Sequence, residues 1–276
     1  MIIYNKTCLI DFLLDKTDYS KSKIKSLLKY HAILVNKKII NKNILLNVGD
    51  IVEFTSSKTI NNELNILYED KDIIVVNKKS GLLTIATLKE KEKTLYNMVS
   101  EYVKTKNKNN KIFVIHRLDR DTAGIIVFAK NEKIKQKFQN NWDKLVLKRG
   151  YIAVCDGIFK EKNGTIKSYL TENKSNYVYI TDKNNGKLAI THYRVLKNNE
   201  KYSLVDIIIE TGRKNQIRVQ LKSIGHPIVG DLKYGNKSKN KLCLVANELI
   251  FVHPTNNKQM SFKLEIPNNF KRLVKD

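Results

Sequence analysis

The stretch HRLDRDTAGIIVFAK, residues 116–130, places a short charged loop between two strongly apolar runs. Apolar runs bounded by polar turn residues are typical of buried strands, so the loop should be rigidly held and able to present a side chain. Asp119 is the candidate nucleophile or base of this loop, and Arg117 and Arg120 are candidate phosphate ligands. The alternative interpretation is a structural loop, in which the aspartate accepts backbone N–H groups and the arginines pair with it.

The charge of the chain points to a polyanionic partner. Its 276 residues include 51 Lys and Arg against 27 Asp and Glu, which gives a net charge of +24. Such a surplus indicates RNA, DNA or an anionic membrane, although part of it could reflect a coding bias toward Lys and Asn. Only seven of these residues are Arg. A chain that otherwise uses Lys is expected to keep Arg where a planar, multi-donor cation is needed.

The composition and residue spacing also disfavour several classes of protein. No window approaches about 18 consecutive apolar residues, so no membrane span is expected. The start, MIIYNKTCLIDF, lacks a signal-peptide pattern. Three scattered cysteines favour a reducing compartment and a cytoplasmic location. The five histidines are dispersed and no HExxH occurs, so no metal site is predicted.

Residues 1–55 are predicted to form a small α/β domain. A helix in SKSKIKSLLKYH, capped by Ser20, places Ile24, Leu27, Leu28 and His31 on one face. The opposite face carries lysines that could contact a nucleic-acid backbone, namely Lys21, Lys23, Lys25 and Lys29. A solvated charged face on an accessory domain is the alternative.

Residues 56–63 are polar and are predicted to be a linker to a strand-rich domain spanning 64–276. In that domain we predict one helix over 131–147, capped by Asn131, and another over 214–224, closed by Gly225. The turn at 183–186 predicts a hairpin between VYITD and KLAITHYRVL.

Two resemblances add to this picture. The Ser20 helix, Val35-Asn36 and Val48-Gly49-Asp50 resemble the alpha-L RNA-binding module of small-subunit ribosomal protein S four, which implies binding to structured RNA. The loop HRLDRDTAG is similar to the signature of the RluA family of pseudouridine synthases. Further family blocks follow the same order, namely ILYEDKDIIVVNKKSGL, KRGYIAVCDG, IETGRKNQIRVQLKSIGHPIVGDLKYG and LIFVHP.

The family resemblance implies an α+β fold, with a mixed, largely antiparallel central sheet flanked by helices. It implies isomerisation of uridine to pseudouridine in RNA, with ribosomal RNA favoured over transfer RNA, and no cofactor. Asp119 would be the catalytic aspartate, kept ionised by Arg218, and Tyr151 would stack on the uracil. Arg117 would fill the space left by the extruded uridine. The remaining candidate substrate contacts are Ile217, His116, Arg120 and Arg213. A monomer is the default expectation.

The chain departs from the family pattern at four positions, Lys79, Asn215, Gln220 and Val245. These departures leave open a non-catalytic RNA-binding or ribosome-assembly factor that keeps the fold. A third reading, a glycosidase using Asp119 and Asp121, is disfavoured. Paired acids normally stand about 5–9.5 Å apart across a substrate, whereas these lie two positions apart on one loop.

Overall fold

The computed structural model describes residues 1–29, 32–54, 64–88, 90–236 and 239–275, without the side chains of Ser26 and Lys29. The predicted linker at 56–63, His31 and the Lys29 side chain therefore lie outside the described residues. The chain divides into two compact units, Met1–Glu63 and Leu64–Asp276. No helix in the described ranges has the length and apolar character needed to cross a membrane.

The smaller unit combines two helices with short strands. Its elements are β1 (Thr7–Cys8), α1 (Leu9–Lys16), α2 (Lys21–Lys29), β2 (Ile33–Val35), β3 (Lys38–Ile40), β4 (Leu45–Leu46) and β5 (Val52–Phe54). Strands β3, β2 and β5 form one sheet, and β1 pairs with β4. The turn at Gly49 separates β4 from β5, which belong to different sheets.

Helix α2 is amphipathic in the predicted sense. The backbone N–H of Lys23 donates to the Ser20 hydroxyl at 3.2 Å, so Ser20 caps the helix. Ile24 and Leu28 are buried, whereas Lys21, Lys23 and Lys25 are exposed. Three lysines are thus free to meet a phosphate backbone.

A second contact joins the segments that carry the N-terminal resemblance. The Asn36 side chain donates to Asp50 Oδ1 at 2.8 Å and accepts the Ile51 N–H at 2.9 Å. Asn36 has φ 51 and Gly49 has φ 90, both in the left-handed region that these residues tolerate. The two motifs form one turn-to-turn contact.

The larger unit is built on an extended sheet. Its strands are β6 (Asn65–Glu69), β7 (Ile73–Lys78), β8 (Phe113–Val114), β9 (Ala123–Ala129), β10 (Val146–Asp156), β11 (Asn163–Glu172), β12 (Val178–Thr181), β13 (Lys187–Asn198), β14 (Tyr202–Ile209), β15 (Leu244–Val252) and β16 (Gln259–Lys263). Its helices are α3 (Leu95–Lys106), α4 (Glu132–Asn140), α5 (Trp142–Leu145), α6 (Gln216–Ser223) and α7 (Asn268–Leu273).

The strand order is β12-β11-β13-β14-β10-β15-β9-β7-β6, with β16 beside β15 and β8 beside β9. All described pairings in this sheet are antiparallel except that of β9 with β15. The predicted fold class, a mixed and largely antiparallel sheet with flanking helices, is confirmed.

Strand β9 and the first four residues of β7 are apolar, as is typical of strands whose two faces are both covered. Alternate residues, such as Ile74 and Phe128, pack with α3, while their neighbours, such as Val75 and Val127, pack with α4. The charged loop before β9 is thereby attached to the best-buried part of the sheet.

Three local predictions are corrected by the structure. The predicted 131–147 helix breaks at Asn141, and from Val146 the chain pairs with β15 instead. The predicted hairpin at 183–186 is absent, because β11, which the sequence pattern missed, lies between β12 and β13. The apolar run at 113–118 is a strand only at Phe113–Val114. In each case long-range strand pairing overrides the local pattern.

Candidate active site

A cavity of about 1050 Å³ opens in the larger unit around the charged loop. Five of the seven arginines of the chain line it, namely Arg117, Arg120, Arg149, Arg213 and Arg218. Because lysines outnumber arginines about six to one in this chain, this clustering marks a place where planar multi-donor cations are needed. The lining is suited to an anionic ligand with flat groups.

Asp119 and Arg218 face each other in this cavity. Arg218 Nη1 lies 3.8 Å from Asp119 Oδ2, and their side chains are 9 % and 31 % exposed. Asp119 comes from the loop between β8 and β9, whereas Arg218 comes from α6. The fold therefore brings together two candidates that lie 99 positions apart in the sequence (218 − 119 = 99).

The strongest partner of Arg218 is Asp231, which the sequence analysis missed. Arg218 Nε and Nη2 donate to the two oxygens of Asp231, each at 2.7 Å, and Asp231 is fully buried. Nη1 donates to Asn215 Oδ1 at 3.0 Å. A bidentate carboxylate pair fixes the guanidinium plane, so Arg218 can present only Nη1 toward Asp119. The available signal was the Gly-Asp turn in the third family block, since a buried arginine requires a buried acid.

Burial raises the pKa of the Asp119 carboxyl, and four nearby cations oppose that shift. In decreasing order of effect these cations are Arg218, Lys214, Lys78 and Lys233. The expected cation is thus present, but burial outweighs the combined attraction of the four cations, so the Asp119 pKa remains raised. Burial raises the Asp231 pKa, but the hydrogen bonds and charge of Arg218, together with the Tyr234 and Lys233 N–H groups, outweigh that effect, so the net pKa is lowered.

Hydrogen bonds from the segment after β7 hold the backbone of the charged loop. Thr84 Oγ1 donates to the Leu118 carbonyl at 2.8 Å and accepts the Leu118 N–H at 3.2 Å. The Gly81 N–H donates to the Arg120 carbonyl at 3.0 Å, and the Ser80 hydroxyl donates to the Asp121 carbonyl at 2.7 Å. These contacts hold the residues on both sides of Asp119.

Lys78 lies beneath that loop and is 1 % exposed. Its ammonium donates to the carbonyls of Lys79, Leu82 and Arg120 at 3.2, 2.7 and 2.9 Å. An ammonium has three N–H donors, so the protonated form matches these acceptors. Burial lowers the Lys78 pKa to about 8, against the attraction of Asp121 and Asp119. Lys78 therefore both anchors the loop and adds positive charge near Asp119.

Tyr151 lines the cavity from β10 and is half-buried. Burial raises its pKa to about 12, with a smaller contribution from Asp119. The phenol therefore stays protonated at neutral pH and offers a neutral ring and an O–H group. Ile217, on α6, is 5 % exposed and presents an apolar surface to the same cavity.

His116 has a structural hydrogen bond within the cavity wall. Its Nε2 accepts the Val127 N–H at 3.1 Å, which requires the proton on Nδ1 in the neutral ring. Burial and the neighbouring Arg149 lower the His116 pKa to about 4. His116 is thus neutral at physiological pH and ties the charged loop to β9.

The other candidate arginines differ in whether their side chains make hydrogen bonds within the protein. Arg117 is exposed and lines the cavity. Arg120 Nε donates to the Gly81 carbonyl at 3.4 Å, and Arg213 Nε donates to the Leu188 carbonyl at 2.9 Å. The expectation that Arg213 and Lys214 begin a helix is wrong, because Asn215 is left-handed, with φ 52, and α6 starts at Gln216.

Two departures from the family pattern have clear structural roles. Asn215 tolerates the left-handed backbone and links Arg218 to the Tyr234 hydroxyl at 3.1 Å. Gln220 is fully buried and accepts the Thr191 hydroxyl at 2.7 Å. Its amide N–H group also donates to the Ile166 and Ala189 carbonyls. Both residues position α6.

The N-terminal candidates Lys21, Lys23 and Lys25 are in the smaller unit and do not line this cavity. The lining includes Asp119 but not Asp121, so the two acids do not form a pair across the cavity. Within the described ranges, no group of three or more His, Cys, Asp or Glu side chains is arranged to hold a metal ion.

Comparison with known proteins identifies the family. The RNA pseudouridylate synthase family model matches residues 72–223, more than half of the chain. The chain is 34 % identical over 267 residues to the uncharacterized RNA pseudouridine synthase YhcT of Bacillus subtilis, covering 93 % of this chain and 88 % of that one. It is 37 % identical over 275 residues to an uncharacterized RNA pseudouridine synthase of Mycoplasma genitalium, with the same coverage.

A more distant relative has a more specific name. Ribosomal large subunit pseudouridine synthase D of Haemophilus influenzae is 28 % identical over 284 residues, covering 93 % of this chain and 86 % of its own. Among solved structures, human RNA pseudouridylate synthase domain containing 4 superposes with a TM-score of 0.64 at 22 % identity, covering 78 % of this chain and 92 % of that one. That likeness concerns the fold.

These matches favour the enzyme over the non-catalytic alternative, because they span the charged loop, β10 and α6, which carry the cavity. The chain belongs to the RNA pseudouridylate synthase family and is an RNA pseudouridine synthase.

Proposed function

We propose that the chain converts uridine to pseudouridine in large-subunit ribosomal RNA, with Asp119 as the catalytic carboxylate. The observation that carries the proposal is a half-buried carboxylate, held 3.8 Å from a buried arginine inside an arginine-lined cavity. Ribosomal RNA is favoured over transfer RNA because a relative matching 93 % of the chain is named for the large ribosomal subunit.

In the proposed reaction the N1–C1′ bond of the uridine breaks, the uracil turns over, and C5 joins C1′. The C5 proton is lost and N1 gains a proton, so the change is an isomerisation. Asp119 could attack the ribose, attack the base or remove a sugar proton, and each route needs the ionised carboxylate. Arg218, fixed by Asp231, favours that ionised form.

Asp119 lines a cavity rather than a flat surface, so we expect the uridine to leave its stack to reach the carboxylate. The neutral Tyr151 ring is placed to stack on the uracil, and Ile217 offers an apolar contact. Arg117 is exposed at the same cavity and could fill the space vacated in the RNA. Arg120 and Arg213 supply positive charge for the flanking phosphates.

We also propose that the smaller unit binds structured RNA through the lysine face of α2. Relatives match 93 % of the chain, so most of this unit is shared with them. The exposed Lys21, Lys23 and Lys25 support the proposal.

Tritium release tests the role of Asp119. RNA labelled with tritium at uracil C5 should lose the label with the wild-type chain and keep it with Asp119→Asn. Asp121→Asn is the matched control, because it removes a neighbouring carboxylate that does not line the cavity. Undiminished release by Asp119→Asn would refute the assignment.

Mapping pseudouridine in cellular RNA with and without the gene tests the substrate. A position lost from large-subunit ribosomal RNA supports the proposal. A loss confined to transfer RNA would exclude it.

A further inference from the structure

Trp142 is the only tryptophan of the chain, and the reaction proposed above does not use it. It lines the same cavity as Asp119 and is half-buried. It belongs to none of the apolar clusters formed by the described residues. Within the described part of the chain, its indole N–H donates to no hydrogen bond. A large ring facing a polar cavity without core contacts is suited to a ligand.

The ring is held in place by two flat groups of the cavity wall. The Arg149 guanidinium lies 5.6 Å from its centroid, and the His116 ring lies 5.7 Å away at 53°. The helix break at Asn141 brings about this position, since Trp142 is the first residue of α5. The indole is therefore positioned by Arg149 and His116 while part of its surface remains accessible in the cavity.

Arg149 supports the ring rather than a phosphate. Its Nη2 donates to the Glu210 carbonyl, and its Nη1 lies against Gly212, where an added Cβ would approach within 2.8 Å. Asp143, which attracts Arg149, also lines the cavity and would repel a phosphate. Gln139 is exposed on the same lining. An aromatic ring can stack on the face of a nucleobase, and carboxylate and amide groups beside it can hydrogen-bond to the edge of that base.

The location of Trp142 relative to Tyr151 indicates which nucleotide of the RNA would contact it. Arg149 and Tyr151 are two residues apart on β10, so they project from the same face of the strand, with Cα atoms about 6.7 Å apart. Tyr151 is proposed to stack on the target uracil. The Arg149–Trp142 pair then lies one side-chain row further along, where an adjacent nucleotide would follow.

We propose that Trp142, supported by Arg149, stacks on the base of a nucleotide adjacent to the target uridine, so that the cavity binds two successive bases. This rests on the proposed function, because it takes Tyr151 as the uracil contact. Binding at this subsite depends on stacking of the base rather than on hydrogen bonds to its edges. It therefore increases affinity for RNA without a strict sequence preference.

Intrinsic fluorescence tests the subsite directly, because Trp142 is the only emitter of its kind. The full chain carrying Asp119→Ala is titrated with an RNA nonamer that has one central uridine flanked by adenosines. Two further nonamers replace the 5′ or the 3′ neighbour of the uridine by an abasic ribose. We expect saturable quenching by the intact RNA and loss of quenching with one abasic RNA that still binds. No quenching, or equal quenching by all three, would refute the subsite.

Kinetics on ribosomal RNA provides the second measurement. Trp142→Ala should raise KM roughly 5- to 100-fold with little change in kcat, because it removes one base stack. Trp142→Phe should keep most of the affinity. Gly212→Ala, which displaces the Arg149 guanidinium without altering Trp142, should give an intermediate KM. Tyr179→Ala is the control, since Tyr179 is 43 % exposed and does not line the cavity.

The two proposals fail separately. If wild-type chain releases no tritium from any RNA, the proposed function is wrong, and the quenching series still decides whether a base stacks on Trp142. If wild type is active but folded Trp142→Ala keeps the wild-type KM, the subsite is wrong and the function stands.

Discussion

At the scale of single residues, the central feature is an arginine divided between two carboxylates. Arg218 gives two donors to Asp231 and leaves Nη1 for Asn215 and Asp119. Burial raises the Asp119 pKa, and the guanidinium 3.8 Å away lowers it by less, so the net pKa stays raised. Asp231 is accordingly a positioning residue, since it acts on the reaction through Arg218.

Replacing Asp231 tests that division. Asp231→Asn should destabilise the fold by about 3–5 kcal/mol, because it leaves a buried arginine without its main counter-charge. It should also shift the acid limb of the kcat/KM profile to lower pH, since Arg218 becomes free to pair with Asp119. Urea unfolding and tritium release against pH measure the two effects.

The matched control is Asp206→Asn. Asp206 pairs with Arg194 at 3.1 Å, and the Arg194 side chain is 68 % exposed, so the change should cost no more than about 1 kcal/mol. An Asp231 variant that unfolds like this control would contradict the role given to the buried pair.

A second prediction concerns the pH dependence of activity. The Asp119 pKa is raised, so the carboxylate becomes protonated at a higher pH than an ordinary aspartate does. Activity that needs the carboxylate should therefore be lost at that higher pH on acidification. Lys233 is one of the cations that lower this pKa, so Lys233→Gln should move the acid limb of kcat/KM to higher pH.

Lys222→Gln provides the comparison for that profile. Both lysines contact Tyr177: Lys233 lies over its ring and Lys222 donates to its hydroxyl at 3.3 Å. Lys222 is not among the cations that lower the Asp119 pKa. Equal profiles for both variants would show that Lys233 does not influence the carboxylate.

At the scale of elements, the parallel pairing of β9 with β15 explains the glycine of the charged loop motif. Gly124 pairs with Ala246 and has φ 125. A Cβ at this position would lie 2.2 Å from the Ala246 carbonyl oxygen. Only glycine permits this approach, which joins β9, the strand that follows the Asp119 loop, to β15, the neighbour of β10.

Gly124→Ala should therefore destabilise the chain by roughly 3 kcal/mol or more, since neither backbone can yield without losing pairing. Gly81→Ala is the comparison, because Gly81 has φ 82 but nothing within 4 Å of an added Cβ, and should cost about 1–2 kcal/mol. Denaturant midpoints measure the difference. Equal losses would show that the clash with β15 is relieved.

At the scale of the whole molecule, the +24 charge is distributed over two units that use different basic residues. Arginines concentrate in the cavity of the larger unit, and exposed lysines lie along α2 of the smaller one. Arginine suits a fixed, planar contact, whereas lysine suits a hydrated, mobile phosphate contact. This distribution agrees with the proposed division between a reaction site in the larger unit and an RNA-binding face in the smaller one.

Salt dependence tests the docking surface. Replacing Lys21, Lys23 and Lys25 together by Gln should flatten the slope of log affinity against log salt by roughly 2–3 units, because three counter-ion releases are lost. Affinity for ribosomal RNA is measured from 50 mM salt upward. Replacement of the three exposed lysines Lys160, Lys174 and Lys183, outside α2, tests whether any three charges suffice. An unchanged slope in the α2 variant would remove the smaller unit from the interface.

Local patterns were sufficient for the charged loop and for the caps at Ser20 and Asn131. The contiguous family blocks supplied the fold class and the candidates Asp119, Tyr151 and Arg218. Each of these depends on short-range features, namely apolar runs, capping residues and contiguous motifs. The same reasoning failed where partners are distant. It missed β11, extended one helix through Asn141, and started α6 two residues early.

The sequence by itself determined the family blocks and the candidate residues within them, because motif spacing and residue type are local properties. Only the tertiary structure decided what surrounds them: Asp231 on Arg218, Lys78 under the loop, and Trp142 beside Arg149. These contacts join separate elements, so their energies depend on strand order and burial rather than on neighbouring residues. A buried charge takes the partner that the fold places beside it, and no local pattern specifies that placement.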